Sequence, residues 1–500
     1  MVSARSLPPA AVRAILGYLN DSRSALILYS LISQAWRTEA RHILFSSIHL
    51  NPFNCPSGAN TRLQELDQLL SSCPKMCPTV TNLAVNGIDR QSGKPSVLHM
   101  DVLTSILANL PNLSGVSIAH FRLESSNRDI SLPRRLKLDH FEICNVCGTN
   151  SNYELTALGD ILKLINEVQD MYVTFEQDVQ SPPVAEKHTL EAYVGEPHIL
   201  SIRNLEIDSS IPLAPFISVL QKLLRKNTLV RAELRLVDAL DLAVAAPLLR
   251  DGATKNVMFS WASIQTDRHP NIPIKRQLQA LGLSMYPLLE NVGIVVGGTG
   301  RATQADIFNY FLNAFDLIST LPKSVKSVGL QLEDDWEVEG NQIIAGQFHF
   351  QELMEQLGPH LKTLDNVLCQ SPKLERFILS YVIRRRIDRD KAVREDTDSD
   401  VDMDMDIAGE CDASDGRDPQ DDDDAMSEGS TIWEREVSKR LRIVTKRVWD
   451  SEESNDEQEG GPHTDMTELQ EFLEARMPYS AARQLIVVSD CDLKELEFEV

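Results

Sequence analysis

The sequence predicts an α/β protein in which three N-terminal helices precede an irregular solenoid of helix–strand units. Leucine-rich helical stretches alternate with short strands along most of the chain. The strands recur at intervals of about thirty residues, a size at which units bury their apolar faces by stacking on their neighbours. A proline often separates helix from strand, as at 110–113, 286–289 and 371–374. A dense acidic stretch near the C-terminus predicts a disordered insertion in the array.

The first fifty residues predict three helices and a strand. Leu7-Pro8-Pro9 begins the first helix, because proline fits the first turn, where its missing N–H has no partner. A second helix carries Leu26, Ile27 and Leu31, and Trp36 begins the next segment. A third helix is expected at 37–44, and 45–50 alternates like a strand. A unit this short buries little core alone, so we expect a partner or an adjoining domain to cover its apolar face.

This stretch resembles an F-box, in the form common in fungal F-box-like proteins. The resemblance rests on Leu7-Pro8-Pro9, on Ile15-Leu16-x-x-Leu19, on the segment from Leu26 to Trp36 and on 40–45. It implies two partners, a Skp-type adaptor and the cullin scaffold of a ubiquitin ligase. The implied adaptor-binding residues are Leu7, Pro8, Ile15, Leu16, Leu19, Leu26, Leu31 and Trp36.

Two positions depart from the F-box pattern. Ala10-Ala11 stands where an acidic–apolar pair is usual, and Ser33 replaces the usual cysteine before the tryptophan. The alternative to an F-box is a small helical cap on the following domain, in which Trp36 and the leucines are ordinary core residues.

Composition restricts the function classes. The net charge of −24 argues against a nucleic-acid partner, because phosphate contacts require clusters of Lys and Arg. We expect no membrane association, since no apolar run approaches the length of a bilayer span and no apolar signal segment precedes the first helix. The eight cysteines are scattered, which suits a reducing compartment. These observations predict a cytoplasmic or nuclear protein.

The rest of the chain is predicted to alternate between helix and strand. Helices are expected at 62–72, 102–110, 155–168, 213–224, 273–285, 304–321, 350–357 and 360–368. Strands are expected at 80–85, 113–118, 136–143, 171–175, 205–207, 230–237, 257–264, 292–296, 325–332 and 374–379. The pattern resembles degenerate leucine-rich-repeat domains, which commonly follow an F-box, although it lacks an asparagine-ladder consensus. An ordinary α/β domain is the alternative.

The predicted domain organisation has five parts. They are the helical module 1–50, a linker rich in Pro, Gly and Asn at 51–61, the leucine-rich-repeat-like array 62–387, the acidic insertion 388–464, and a final unit 465–500. The final unit, with a helix at 468–476 and a strand at 484–488, would cap the open end of the array.

The acidic insertion contains two further signals. Thr397, Ser399 and Ser454 each precede an acidic residue by three positions, which is typical of acidophilic kinase sites. A solvated spacer is an equally good interpretation. The basic segment 439–447 suits a nuclear import signal or pairing with the neighbouring acid, and we favour the pairing.

Signals for catalysis, cofactors or metals are weak. Gly297-Gly298-Thr299-Gly300 lacks the spacing and the lysine of a nucleotide loop and predicts a turn. Cys144-x-x-Cys147 and Cys73-x-x-x-Cys77 lie far apart, which favours buried thiols over a zinc site. We therefore expect no enzyme activity, no cofactor and no metal. The predicted function is substrate recognition for a ubiquitin ligase, with an unidentified protein client. The alternative is a non-catalytic scaffold with no ligase role.

Overall fold

The computed structural model describes residues 7–18, 22–50, 58–88, 95–124, 132–148, 158–175, 198–209, 213–235, 239–260, 281–297, 304–339, 342–343, 350–387 and 466–489. These residues form an α/β fold with twelve α-helices and a large, mostly parallel sheet, which confirms the predicted class. They fall into two compact units. The first takes residues from Met1–Val295, Tyr310–Val328 and Val367–Glu375, and the second from Val296–Asn309, Gly329–Asn366 and Arg376–Val500.

The chain begins with three helices and then alternates between strand and helix. The elements up to residue 175 are α1 (Pro9–Gly17), α2 (Arg23–Tyr29), α3 (Gln34–Leu44), β1 (Ser47–Leu50), α4 (Gly58–Ser72), β2 (Asn82–Asn86), β3 (Ser96–His99), α5 (Met100–Asn109), β4 (Gly115–Ala119), β5 (Phe121–Glu124), β6 (Leu136–Cys144), β7 (Cys147–Gly148), α6 (Leu158–Lys163) and β8 (Ile165–Phe175).

The alternation continues through the remaining described residues. The elements are β9 (Ser201–Ser209), α7 (Ala214–Leu223), β10 (Arg231–Arg235), α8 (Ala239–Gly252), β11 (Asn256–Ser260), β12 (Asn291–Gly297), α9 (Gln304–Ser319), β13 (Ser327–Glu339), β14 (Gln342–Ile343), α10 (Phe350–Cys369), β15 (Arg376–Ile387), α11 (Met466–Arg476), α12 (Pro478–Ala482) and β16 (Ile486–Ser489).

The large sheet of the first unit follows the order of the chain. Its strands lie in the order β1-β2-β4-β6-β8-β9-β10-β11-β12, and each neighbouring pair is parallel. Alternate side chains are buried on one face, for example Leu83 and Val85 on β2 and Phe141 and Ile143 on β6. The intervening side chains of most strands are polar and lie on the opposite face. From β1 to β10 the sheet therefore has one apolar and one polar face, whereas at β11 and β12 both faces are buried, with Met258 and Val295 on the second face.

The strands of this sheet begin with a recurring backbone link. The first residue of a strand and the residue before it both donate their N–H groups to the same carbonyl. That carbonyl belongs to the residue directly before the neighbouring strand. For β2, the N–H groups of Thr81 and Asn82 donate to the Ser46 carbonyl at 2.7 and 2.9 Å. The same pair of bonds joins β4 to Thr81, β11 to Val230, β12 to Lys255 and β13 to Glu290. Successive strands thus start at equivalent positions.

A small second sheet flanks the first strands. It consists of β3, β5 and β7, paired in parallel in that order. The chain leaves β4 and β6 through residues with positive φ, His120 at 56° and Asn145 at 50°. The N–H of His120 donates to the carbonyl of Cys144, the last residue of β6. The N–H of Asn145 donates to the carbonyl of Thr174, the last residue but one of β8, and both distances are 2.8 Å. Each of these corners is therefore hydrogen-bonded to the end of the next strand of the large sheet.

The second unit contains the last strands. β16 pairs with β15 in parallel, and β14 pairs with β13 in antiparallel. The buried carboxylate of Asp365 on α10 accepts hydrogen bonds from the backbone N–H groups of Tyr479 and Ser480, at 3.1 and 2.7 Å. Because these N–H groups belong to the first turn of α12, Asp365 caps that helix and joins it to α10.

Three predicted helices have the wrong bounds. The helix expected at 155–168 ends at Lys163, because the strand β8 begins at Ile165 and pairs with β6 from its first residue. The two helices expected at 350–357 and 360–368 are one helix, α10, which continues through Pro359. Leu353, Leu357 and Leu361 are all buried, so the apolar face is continuous across the proline.

Other elements were not predicted or lie partly outside the description. The helix α8 and the small sheet have no counterpart in the prediction, and α4 begins at Gly58, inside the predicted linker. Of the helix expected at 273–285, the described end is a short 3-10 turn, Leu283–Met285. Most of the predicted linker, the acidic insertion with Thr397, Ser399 and Ser454, and the basic segment 439–447 lie outside the described residues.

Candidate protein-interaction surface on the N-terminal helices

The first three helices form a module with its own small core, here called the N-terminal module (described residues within 7–50). Serines cap two of its helices: the N–H of Ala25 donates to Ser22 Oγ at 3.3 Å, and that of Trp36 to Ser33 Oγ at 3.5 Å. Serine at position 33, a departure from the F-box pattern, therefore has a structural role as the N-cap of α3.

The core of the module consists of five buried residues. They are Val12, Leu16, Leu26, Trp36 and Ala40, with Leu7, Ile43 and Leu44 packed against them. The helix α3 contacts both α1 and α2. The Tyr29 ring stacks on the buried Trp36 ring, with 5.5 Å between centroids. The module is thus organised around α3.

An ion pair joins α1 to α3. Arg13 donates to both carboxylate oxygens of Glu39, with Nε–Oε2 at 2.7 Å and Nη2–Oε1 at 3.3 Å. The Glu39 side chain is 7% exposed, whereas Arg13 is largely exposed. The hydrogen bond to Glu39 and its charge raise the pKa of Arg13 above its ordinary value. The pair therefore satisfies a carboxylate that α3 would otherwise bury without a partner.

Large apolar side chains on the module are exposed. The most exposed aliphatic ones lie at the end of α2, where Leu28 is 67% and Leu31 68% exposed. The N–H of Leu31 donates to the Leu28 carbonyl at 3.0 Å, so a tight turn follows the helix. Ile27 and Ile32, on either side, are also exposed. We call Ile27, Leu28, Leu31 and Ile32 the α2 apolar cluster. Clusters of this kind on a protein surface mark interaction sites.

The eight predicted adaptor-binding residues divide into surface and core. Leu16, Leu26 and Trp36 are buried in the module, and Leu7 packs against its core. Pro8, Ile15 and Leu31 are exposed, and Leu19 lies outside the described residues. The first three therefore shape the module, whereas the exposed three are open to a partner.

The prediction missed most of the exposed large apolar residues of the module, namely Tyr18, Ile27, Leu28, Tyr29, Ile32 and Phe45. A signal for them was present in the sequence. Residues 25–29 are five consecutive apolar or aromatic residues, and a single helix face can bury only part of such a run. The excess indicates a second, outward-facing apolar surface.

The other candidate sites have no assembled geometry among the described residues. Cys73, Cys77 and Cys144 form no disulfide. Cys77 is buried, as expected, and donates to the Leu70 carbonyl at 3.4 Å, whereas Cys73 is exposed and Cys144 is half-buried. The described ranges contain no group of three residues able to hold a metal ion. Gly297 ends β12, and the rest of the glycine turn lies outside the description.

Comparisons with protein-family models and with curated protein sequences find no match to this chain. Among the described helices, none combines the length and the apolar composition needed to cross a bilayer.

Proposed function

We propose that this protein is a substrate-recognition subunit of a Skp–cullin–F-box ubiquitin ligase. The N-terminal module binds the Skp-type adaptor, and the polar face of the parallel sheet binds a protein client. The observation that carries the proposal is the α2 apolar cluster, exposed on a module that has its own core and resembles an F-box. Exposing four large aliphatic side chains is unfavourable in water, and a partner helix that covers them removes that cost.

The leucine-rich-repeat-like solenoid is part of the proposal, and three features support it. Strand order follows chain order across β1 to β12, apart from the strands of the small sheet. The same pair of backbone bonds recurs at strand starts, and the corner bonds recur after β2, β4 and β6. Recurrence of equivalent links is expected when each unit stacks only on its neighbours.

A row of polar side chains also supports stacked repeats. Asn82, Asn204, Asn256 and Asn291 occupy the same register position on their strands. Two side-chain bonds run along this row, from Asn204 Nδ2 to Asp170 Oδ1 at 2.7 Å and from Asn291 Nδ2 to Asn256 Oδ1 at 2.6 Å. An asparagine row that the sequence alone does not reveal thus runs along part of the sheet.

The proposed mechanism is proximity, without catalytic residues, cofactor or metal in this chain. One module is attached to the ligase scaffold through the adaptor, and the sheet holds the client. A linked arrangement raises the effective concentration of client near the ubiquitin-charged enzyme, which carries out the chemistry.

The test is co-purification of the full-length chain with a Skp-type adaptor and cullin. A Leu28→Ser/Leu31→Ser variant should reduce capture at least about tenfold, because both side chains would lie in the interface core. The matched control is Leu69→Ser/Leu288→Ser, which changes two exposed leucines outside the module and should leave capture unchanged.

Three results would contradict the ligase role. The wild type could fail to capture the adaptor, the Leu28→Ser/Leu31→Ser variant could capture it as well as the wild type, or both variants could lose capture equally. Circular dichroism of each variant establishes that it is folded. Capture that fails for a folded wild type would leave a scaffold without a ligase role.

A further inference from the structure

The turn between α7 and β10 carries a charge pattern typical of the substrates of basophilic protein kinases. It reads Arg225-Lys226-Asn227-Thr228-Leu229, with cations three and two positions before a threonine. Kinases select their substrates by charge pattern, and the basophilic class binds cations at these two positions. In the whole sequence, Thr228 is the one serine or threonine with Arg or Lys at both positions. The pattern therefore selects a single hydroxyl of the chain.

The structure places this pattern on the surface. Arg225, Lys226 and Asn227 are exposed, and Thr228 is half-buried. Asn227 has a left-handed backbone with φ of 63°, which forms the tip of the turn. The Thr228 hydroxyl donates a solvent-exposed hydrogen bond to the Arg225 carbonyl at 2.8 Å. Because the hydroxyl acts as a donor there, its oxygen keeps its lone pairs for a new bond.

Arg225 is held in place by neutral groups. Its Nη2 donates to the Ile199 carbonyl at 3.2 Å and to Asn166 Oδ1 at 3.3 Å. Neither acceptor carries a charge, so the positive charge of the guanidinium is not neutralised by them. This side chain is therefore positioned beside the turn and can still pair with an anion.

A second arginine adds to the positive charge beside the turn. The Arg203 carbonyl accepts from the N–H of Val230, two residues after Thr228, at 2.8 Å. In the part of the chain that the structure describes, Arg203 and Lys226 form no ion pair with a carboxylate. On the adjoining turn, the carboxylate of Asp251 pairs with its own neighbour, Arg250, at 3.6 Å. An anion at Thr228 would thus meet positive charge, although the whole chain carries −24.

We propose that Thr228 is a phosphorylation site for a basophilic protein kinase, and that Arg203 and Arg225 hold the phosphate. The kinase transfers the γ-phosphoryl group of ATP: the Thr228 O–H bond breaks, its proton passes to the catalytic base of the kinase, an O–P bond forms, and ADP leaves. The phosphate adds a charge of about −1.5 to −2 at neutral pH, which offsets most of the local positive charge. This inference does not depend on the proposed ligase role.

Kinase access requires the turn to open. Leu229, the residue after the acceptor, is buried and packs closely on Gly252, where an added Cβ would lie 2.7 Å from Leu229 Cβ. A kinase binds its acceptor in an extended segment, so residues 225–229 must leave this packing briefly. The full-length chain should therefore be phosphorylated about 10- to 100-fold more slowly than a free peptide of residues 221–232, the penalty expected for local opening.

The test incubates the full-length protein with ATP and the catalytic subunit of cyclic-AMP-dependent protein kinase, a basophilic enzyme, and locates phosphate by mass spectrometry. The wild type should carry phosphate on Thr228, and Thr228→Ala should carry none in the segment 221–232. Lys226→Glu should slow modification at least about tenfold, because it places a carboxylate where the kinase binds a cation. The matched control is Lys222→Glu, which reverses an exposed charge on α7 outside the pattern and should change the rate less than about twofold.

A second measurement tests how the phosphate is held. Alkaline phosphatase should remove it from the Arg203→Gln variant at least about threefold faster than from the wild type, since a charge-assisted hydrogen bond is lost. Arg203 lies outside the segment that the kinase reads, so phosphorylation itself should be unchanged in this variant. Arg37→Gln, which removes an exposed arginine from α3, is the control and should be dephosphorylated like the wild type. Circular dichroism establishes that each variant is folded.

Three results would overturn the phosphorylation site. The peptide could be modified while the folded chain is not, Lys226→Glu could be modified as fast as the wild type, or phosphate could be confined to residues outside 221–232. Equal dephosphorylation of Arg203→Gln and the wild type would overturn the assignment of the phosphate to Arg203. Adaptor capture enters none of these measurements, so failure of the ligase role and failure of this inference are distinguished.

Discussion

The N-terminal module and the parallel sheet use apolar residues in opposite ways. From β1 to β10 the sheet buries them on one face and presents polar side chains on the other. The module buries five residues and exposes at least as many large apolar ones. The sheet thus satisfies its apolar residues internally, whereas the module leaves a surface that a partner can cover. This difference is the reason for assigning the adaptor to the helices and the client to the sheet.

The largest effect is expected from removing a buried aromatic side chain in each region. Trp36→Ala and Phe141→Ala should each cost about 3–5 kcal/mol, the usual range for deleting a buried aromatic side chain. Because the core of the module is small and separate, Trp36→Ala should raise hydrogen exchange in 9–44 and leave the strands protected. Phe141→Ala should raise exchange across β4, β6 and β8. Uniform loss of protection in both variants would show that the module has no independent core.

A smaller effect is expected from adding a methyl group at a glycine of each region. A Cβ at Gly87 would lie 2.5 Å from the Phe121 ring and 2.6 Å from the His120 carbonyl, so Gly87→Ala should cost about 1–3 kcal/mol. Gly17, at the end of α1, has open space around it, and Gly17→Ala should be neutral or stabilise by up to about 1 kcal/mol. Urea unfolding measures both. Equal costs would contradict the close approach of Gly87 to Phe121 and His120.

Polar substitution in the α2 apolar cluster should hardly change stability. Ile27→Ser and Leu28→Ser should stay within about 0.5 kcal/mol of the wild type, because both side chains are exposed. Leu83→Ser, on the apolar face of β2, should destabilise by several kcal/mol, since it leaves a cavity and an unpartnered hydroxyl. Thermal unfolding distinguishes the two sites. A large loss at Leu28 would mean that the cluster is core and not interface.

The smallest effect is a pH dependence in the sheet. Lys326 Nζ donates to Glu290 Oε2 at 2.8 Å, and this hydrogen bond and the lysine charge lower the pKa of Glu290. A carboxyl pKa lowered by folding adds stability above its unfolded value, and that stability is lost as the pH falls through the folded value. Glu290→Gln should therefore lower the unfolding temperature by ~1–2 °C at neutral pH, since exposed pairs contribute little.

The pH effect has its own control. The difference between Glu290→Gln and the wild type should close as the pH falls below the lowered pKa of Glu290, where the carboxyl is protonated in both states. In a Lys326→Gln background, Glu290→Gln should produce almost no pH-dependent difference. If the difference in unfolding temperature persisted at low pH, it would have a cause other than the Lys326–Glu290 ion pair.

The sequence predicted the existence of most elements because the signals are local. Proline at the start of α1 and apolar residues at helical spacing placed the three N-terminal helices within a few residues of their observed bounds. The predicted strand at 171–175 is shorter than β8, because residues 161–168 also fit a helical period. Its pairing with β6, a contact distant in sequence, decides the strand. The corners at His120 and Asn145 have positive φ without glycine, so the sequence signal for them is weak.

The candidate site could be predicted less well than the fold. The sequence indicated which stretch is involved, but the buried or exposed state of each residue depends on how α1 and α2 pack on α3. Trp36 illustrates the problem, since it is apolar and on a predicted helix, and only its contact with Tyr29 and the core shows it to be buried. The asparagine row depends on register between the strands, which no local pattern specifies.

Hydrogen exchange of the full-length chain, alone and bound to a Skp-type adaptor, tests the central claim most directly. Slower exchange is expected in 24–33, around the α2 apolar cluster, and unchanged exchange in the strands from β2 to β12. The Leu69→Ser/Leu288→Ser control should give the same protection, and Leu28→Ser/Leu31→Ser should lose it. Protection confined to the sheet, or no protection by an adaptor that another F-box protein binds under the same conditions, would contradict the account.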